Sequence, residues 1–138
     1  MKIMLDEGAF APVRKHSDDA GLDIRTPKGF TVPKGGSAVV DCGVHFDIPV
    51  GCYGELRGRS GLHINHDIVC FGGTIDCGYQ DSVKIKLYNL GKEDFVFQQG
   101  DRIAQLVIMP CKFPDVEVVD SFDEETERGN AGIGSTGL

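Results

Sequence analysis

Asp76 sits among turn residues in Gly73-Thr74-Ile75-Asp76-Cys77-Gly78-Tyr79-Gln80-Asp81. Ile75 is apolar and β-branched and Cys77-Gly78 follow, so Asp76 is expected where a strand gives way to a tight turn, with Tyr79 projecting from it. A carboxylate fixed on a hairpin edge can hold and deprotonate a water, and a nearby aromatic ring can pack against a ligand. Taken alone, the same residues suit a turn capped by Asp76 and a core filled by Tyr79. Gly58-Arg59-Ser60-Gly61 sets a guanidinium fork beside a hydroxyl, and its glycines let main-chain N–H groups approach an anion. A plain surface turn accounts for that tetrapeptide equally well. Arg128 and Gly134-Ser135-Thr136-Gly137 repeat the chemistry, but no lysine precedes the Ser-Thr and no strand and helix flank it, so this is not a P-loop. Simple alternation in the segment 100–106 puts Arg102, Ala104 and Leu106 on one side of a strand and Asp101, Ile103 and Gln105 on the other. His63, His66 and Asp67 fit no standard metal spacing and read as surface or local hydrogen-bonding residues.

Such groups need a rigid frame, and the frame reads as all-β. Nineteen glycines without a collagen-like period favour turns. Strands are expected at 22–25, 30–32, 38–48, 52–57, 82–90, 95–97, 103–108 and 116–119, with one helical turn at 62–65 and an apolar run at 68–71. Val83, Ile85 and Leu87 should face a core, with Lys84 and Lys86 facing water. Short strands separated by turn signals indicate a sandwich, jelly roll or small barrel. The length of 138 residues suits one domain, 1–127, followed by a glycine-rich tail, 128–138, expected to be flexible unless something docks it.

The net charge of −7 disfavours sequence-independent binding to nucleic acid. No apolar run approaches a membrane span, and the first six residues lack a signal-peptide body, so a soluble, cytoplasmic protein is expected. Five cysteines, at 42, 52, 70, 77 and 111, form no C-x-x-C pair, which suggests neither a disulfide framework nor a zinc site. They read as small buried hydrophobes in a reducing compartment.

Five segments in order, AGLDIRT at 20–26, GRSG at 58–61, GTIDCGYQ at 73–80, GDRIAQLV at 100–107 and RGNAGIGSTG at 128–137, resemble the motifs of the homotrimeric dUTP pyrophosphatases, the dUTPases. The resemblance implies a jelly-roll-like (β-clip) subunit with at most one short helix, assembled as a trimer whose active sites are shared between chains. It implies hydrolysis of dUTP to dUMP and pyrophosphate with Mg2+, which limits uracil in DNA and supplies dUMP for dTMP synthesis. Asp76 then orients and activates the attacking water, while Tyr79 packs on the deoxyribose and leaves no room for a 2′-hydroxyl. Arg59, Ser60, Gly61 and Gln105 contact phosphates, and the hairpin around Gly73 and Ile75 reads uracil through its main chain. Arg128, Gly134, Ser135 and Thr136 belong to a tail that folds over the γ-phosphate, and Asp23 supports the magnesium shell through water.

Two positions depart from the family pattern. Ile133 stands where the tail usually has an aromatic on the uracil, exchanging stacking for a smaller contact worth about 1 kcal/mol less. Asp81 stands where glycine is common. The related dCTP deaminases share the fold and the Ile-Asp hairpin, but Lys86 occupies the place of their catalytic glutamate. A nucleotide- or protein-binding member without catalysis would have no use for the carboxylate of Asp76.

Overall fold

The computed structural model describes residues 1–122, together with Thr126 and Gly129. Eleven strands and one short helix follow in the order β1 (Lys2–Leu5), β2 (Gly21–Arg25), β3 (Phe30–Val32), β4 (Ser37–Asp41), β5 (Val44–Asp47), β6 (Cys52–Arg57), α1 (Ser60–His66), β7 (Ile68–Val69), β8 (Gly73–Ile75), β9 (Lys84–Asn89), β10 (Phe95–Phe97) and β11 (Arg102–Pro110). Neighbouring strands pair antiparallel throughout the described residues. The largest sheet runs β2-β11-β6-β8, beside a three-stranded sheet β4-β9-β7 and two ribbons, β1-β5 and β10-β3. This is the jelly-roll-like β architecture that the resemblance implies, one of the three that the turn spacing leaves open.

Alternation does what the sequence predicts in β9 and the residue before it: Val83, Ile85 and Leu87 are buried while Lys84 and Lys86 are exposed. Ile24, Phe46, Phe97, Ile103 and Leu106 join them in one apolar core, where Phe30 and Phe97 stack at 4.9 Å. Burying side chains of this size, at roughly 1.5–3 kcal/mol each, supplies the main drive for folding. No helix among the described residues is long and apolar enough to cross a membrane.

Three sequence expectations differ from the structure. The run 38–48 is two strands, because Gly43 adopts φ 63° and breaks the ladder at Cys42-Gly43. A Cβ at Gly43 would lie 2.9 Å from the Ala9 Cβ, so glycine also permits the close approach of the segment after β1. The segment 116–119 is not a strand: Val116 and Val118 are exposed and no ladder partner exists among the described residues. Its alternation satisfies the local requirement for a strand, while a ladder requires a second chain segment alongside. Finally, only Cys42 among the five free cysteines is fully buried, with its thiol pushed up to about 12 by burial, and the other four are half-buried.

Candidate active site

Asp23 is the hub of a polar cleft at one end of the four-stranded sheet. It lies in β2 opposite Gln105 of β11, and Val13 bridges its other backbone edge. Its Oδ1 accepts a hydrogen bond from Arg59 Nε at 3.0 Å, and its Oδ2 accepts one from Arg102 Nη1 at 3.1 Å. Arg59 Nη1 also donates to the Arg102 carbonyl at 3.3 Å, so the two arginines are fixed to each other as well as to the carboxylate. Arg59 directly precedes α1, and its carbonyl accepts from the N–H groups of Leu62 and His63, which closes the first helical turn over the Gly58-Arg59-Ser60-Gly61 segment.

A β-bulge assembles these donors. The register of β11 against β2 shifts between Arg102 and Ala104, and Ile103 and Ala104 are both fully buried. The extra residue breaks strict alternation, so Arg102 and Gln105, expected on opposite sides, line one cleft. Gln105 Nε2 donates to the Gly58 carbonyl at 3.0 Å, tying β11 to the GRSG turn. A Cβ at Gly21 would fall 2.0 Å from Gln105 Oε1, so the glycine leaves the space that the amide occupies.

The cleft measures about 330 Å3 and is lined by Lys15, His16, Asp19, Asp23, Arg59, Ser60, Arg102 and Gln105, among others. Asp19 accepts from the His16 main-chain N–H at 2.9 Å, and this bond foremost holds its carboxyl below the usual value. With Asp19 and Asp23 already engaged, the guanidiniums, Lys15, the Ser60 hydroxyl and the second N–H of the Gln105 amide present donors suited to a phosphate chain. Arg102, Lys15 and Gly21 were not anticipated as site residues. A period-2 reading places Arg102 away from Gln105, and a bulge leaves no mark in composition.

The Asp23 carboxylate is 16% exposed and its partners Arg59 and Arg102 are 27% and 39% exposed, so the triad lies between surface and interior. Asp23→Asn should lower stability by about 1–2 kcal/mol, between the values for exposed and buried pairs. The check is denaturant unfolding at fixed protein concentration.

The Asp76 hairpin stands elsewhere on the same chain. β8 pairs with β6 through Ile75↔Gly54 and Gly73↔Leu56, and buried Ile75 fixes the hairpin to the core. The Tyr79 N–H donates to the Asp76 carbonyl at 3.0 Å and closes the turn, leaving the Asp76 side chain exposed. Tyr79 is 36% exposed and its hydroxyl donates to the Ser82 carbonyl at 3.1 Å, so it is not a core filler. Because Ile75 faces Gly54 while Arg59 lies beyond Arg57 at the other end of β6, the two groups are separated by more than roughly 10 Å along the strand. None of residues 73–79 lines the Asp23 cleft.

One chain thus brings together Asp23, Arg59, Ser60, Gly61 and Gln105, and separately Gly73, Ile75, Asp76 and Tyr79. Arg128, Ile133, Gly134, Ser135 and Thr136 lie outside the described residues. Among the described residues no group of three or more potential metal ligands is found. Both Asp23 oxygens already accept from arginines, so direct ligation would set a dication beside two guanidiniums. The remaining lone pairs suit an outer-shell contact through water.

The chain matches the family model described as dUTPase over residues 8–137. It is 42% identical over 135 residues to the rat deoxyuridine 5'-triphosphate nucleotidohydrolase, covering 98% of this chain and 65% of that protein, so it spans just under two thirds of that relative. Its structure resembles the Staphylococcus bacteriophage 80alpha dUTPase with dUPNHPP, with a TM-score of 0.89 and 30% identity over 99% of this chain and 98% of that one. It also resembles a mutant dUTPase from phage phi11 of S. aureus whose structure is described for the coordination of a structural Mg(II) ion, at a TM-score of 0.82 and 27% identity over 89% of this chain and 98% of that one.

Proposed function

Because this chain belongs to the dUTPase family, we propose that it is a dUTP diphosphatase in which Asp76 activates the attacking water and the Asp23 cleft holds the triphosphate. The observation that carries the reading is the split geometry: an exposed carboxylate on a rigid hairpin and a cleft of phosphate donors occupy separate parts of one chain. Neither half suffices for hydrolysis, and a complete site forms when the hairpin of one copy meets the cleft of another. A closed trimer pairs every hairpin with a cleft, giving three shared sites.

The reaction follows from these residues. The water oxygen attacks the α-phosphorus while Asp76 accepts its proton; the bond from the α-phosphorus to the oxygen bridging to the β-phosphorus breaks, and its electron pair leaves with pyrophosphate. Arg59, the Ser60 hydroxyl, the Gly61 main chain and the Gln105 amide stabilise charge along the phosphates. Main-chain groups of the hairpin from Gly73 through Ile75 read uracil, and Tyr79 packs on the deoxyribose and excludes a ribose. Arg128, Gly134, Ser135 and Thr136 contact the γ-phosphate end, with Ile133 toward the base. Asp23 would reach, through water, the hydration shell of a magnesium ion carried by the nucleotide, which would supply neutralisation of phosphate charge. The product dUMP feeds dTMP synthesis, and removal of dUTP limits uracil in DNA.

Pyrophosphate release from dUTP, dTTP and dCTP, measured with and without magnesium, tests this reading. Release confined to dUTP and dependent on magnesium is expected; comparable release from dTTP overturns the specificity, and ammonia from dCTP the reaction. Removing residues 128–138 should reduce kcat/KM for dUTP by about tenfold and damage hydrolysis far more than folding, because in this reading the tail acts on bound substrate. An unaltered rate would remove the tail from the site.

A further inference from the structure

The limb of the hairpin that follows Tyr79 is held by a group that can change charge near neutral pH. His45 lies in β5 with its ring between two acceptors: Nδ1 stands 2.8 Å from the Gln80 main-chain carbonyl, and Nε2 stands 3.1 Å from the Asp6 carboxylate. A carbonyl and an ionised carboxylate can only accept, so both bonds exist together only when both ring nitrogens carry protons. Either neutral tautomer serves one partner and turns a bare lone pair on the other. Asp6 is itself fixed, since its main-chain N–H donates to the Gly43 carbonyl at 2.9 Å where β5 begins. The ring therefore ties the hairpin to the frame across the β1-β5 ribbon.

We propose that His45 is a positioning residue for the Asp76–Tyr79 turn: its imidazolium bridges the Gln80 carbonyl and the Asp6 carboxylate, and loss of one ring proton breaks that bridge.

The neighbouring anchors do not change charge in the same range. The Ser82 main-chain N–H donates to the Asp81 carboxylate at 2.7 Å, and Lys84 Nζ donates to it at 3.1 Å. These contacts, the Ser82 N–H first, hold the Asp81 carboxyl below its usual value, and Asp81 in turn holds the Lys84 ammonium above its own. The Ser82 hydroxyl donates to Asp41. Facing His45 are Asp6 from the segment after β1, Asp81 from the hairpin, and Lys2 of β1 and Asp47 of β5, which share a cavity with the ring and Gln80. Three carboxylates against the Lys2 ammonium and the Lys84 ammonium paired with Asp81 favour the charged ring. The Gln80 carbonyl foremost raises its pKa above the ordinary 6.5; burial opposes this, and Asp6 and then Asp81 add to the rise. The anchoring is thus complete below about pH 6.5 and is lost as pH rises through the raised value.

The consequence for turnover rests on the dUTP reading, whereas the bridge does not, and the experiment separates them. Hydrogen exchange at the Tyr79 and Ser82 amides of the full chain, corrected for intrinsic rates, is followed from about pH 6 to 9 in the wild type, His45→Gln and Asp6→Asn. The His45 ring titration is assigned by the NMR resonance missing in His45→Gln. We expect wild-type exchange to rise roughly fivefold with the midpoint of that titration, and dUTP kcat to fall with the same midpoint. His45→Gln should show no inflection, and Asp6→Asn should move both midpoints to lower pH. Exchange tracking the ring in a protein that leaves dUTP intact supports the bridge and removes the dUTP reading. Wild-type exchange without an inflection at the His45 midpoint, or an inflection retained in His45→Gln, overturns the proposal.

Discussion

Asp76→Asn is expected to lower dUTP turnover about a thousandfold, the range for loss of a positioned general base. The side chain is exposed at the tip of a closed turn, and Asn matches its shape, so the Asp76–Tyr79 turn and the fold should persist. Only the capacity to take a proton from water is lost. The measurement is steady-state pyrophosphate release beside unfolding and sedimentation of the same sample; wild-type turnover in a folded variant would end the role of Asp76. The split geometry adds a sharper check. Asp76→Asn removes the hairpin's contribution and Arg59→Ala the cleft's, so each variant alone should be nearly inactive. Co-expressed, they should form mixed assemblies in which an intact hairpin from one chain meets an intact cleft from the other. Recovered activity requires sites shared between copies.

Gly72→Ala should cost stability by about 2–4 kcal/mol. Gly72 has φ +89°, and a Cβ built on it lies 2.5 Å from the Leu56 carbonyl oxygen. That carbonyl belongs to β6, where Leu56 pairs with Leu106 on one side and Gly73 on the other, so it cannot retreat without opening two ladders. If β8 gives way instead, its register with β6 moves and Asp76 moves with it. Loss of stability should therefore be accompanied by loss of turnover in the fraction that remains folded. Denaturant unfolding within about 0.5 kcal/mol of the wild type would show that the loop absorbs the methyl group.

Side-chain alternation made β9 legible down to its inward face, because one wetted and one buried face impose a period of two. Cys52–Arg57, Phe30–Val32 and Phe95–Phe97 were legible as short runs bounded by turn residues, and the Ile75-Asp76 strand end from its turn residues. Alternation misled at 116–119, where no second segment among the described residues completes a ladder, and at 38–48, where the left-handed Gly43 breaks one. It also misplaced Arg102, since the β11 bulge arises from packing against β2 and leaves both Ile103 and Ala104 inside.

The sequence by itself determined the β class, the family through five ordered motifs, and the identity of the proposed reacting groups, because residue chemistry and turn preference are local properties. Only the tertiary structure decided that Asp23 is clasped by two arginines, that Arg102 shares the cleft of Gln105, that Asp76 stands apart from that cleft, and that His45 grips the hairpin. Each of these depends on strands distant in sequence being brought into one register, and register is fixed by the packing of the whole sheet.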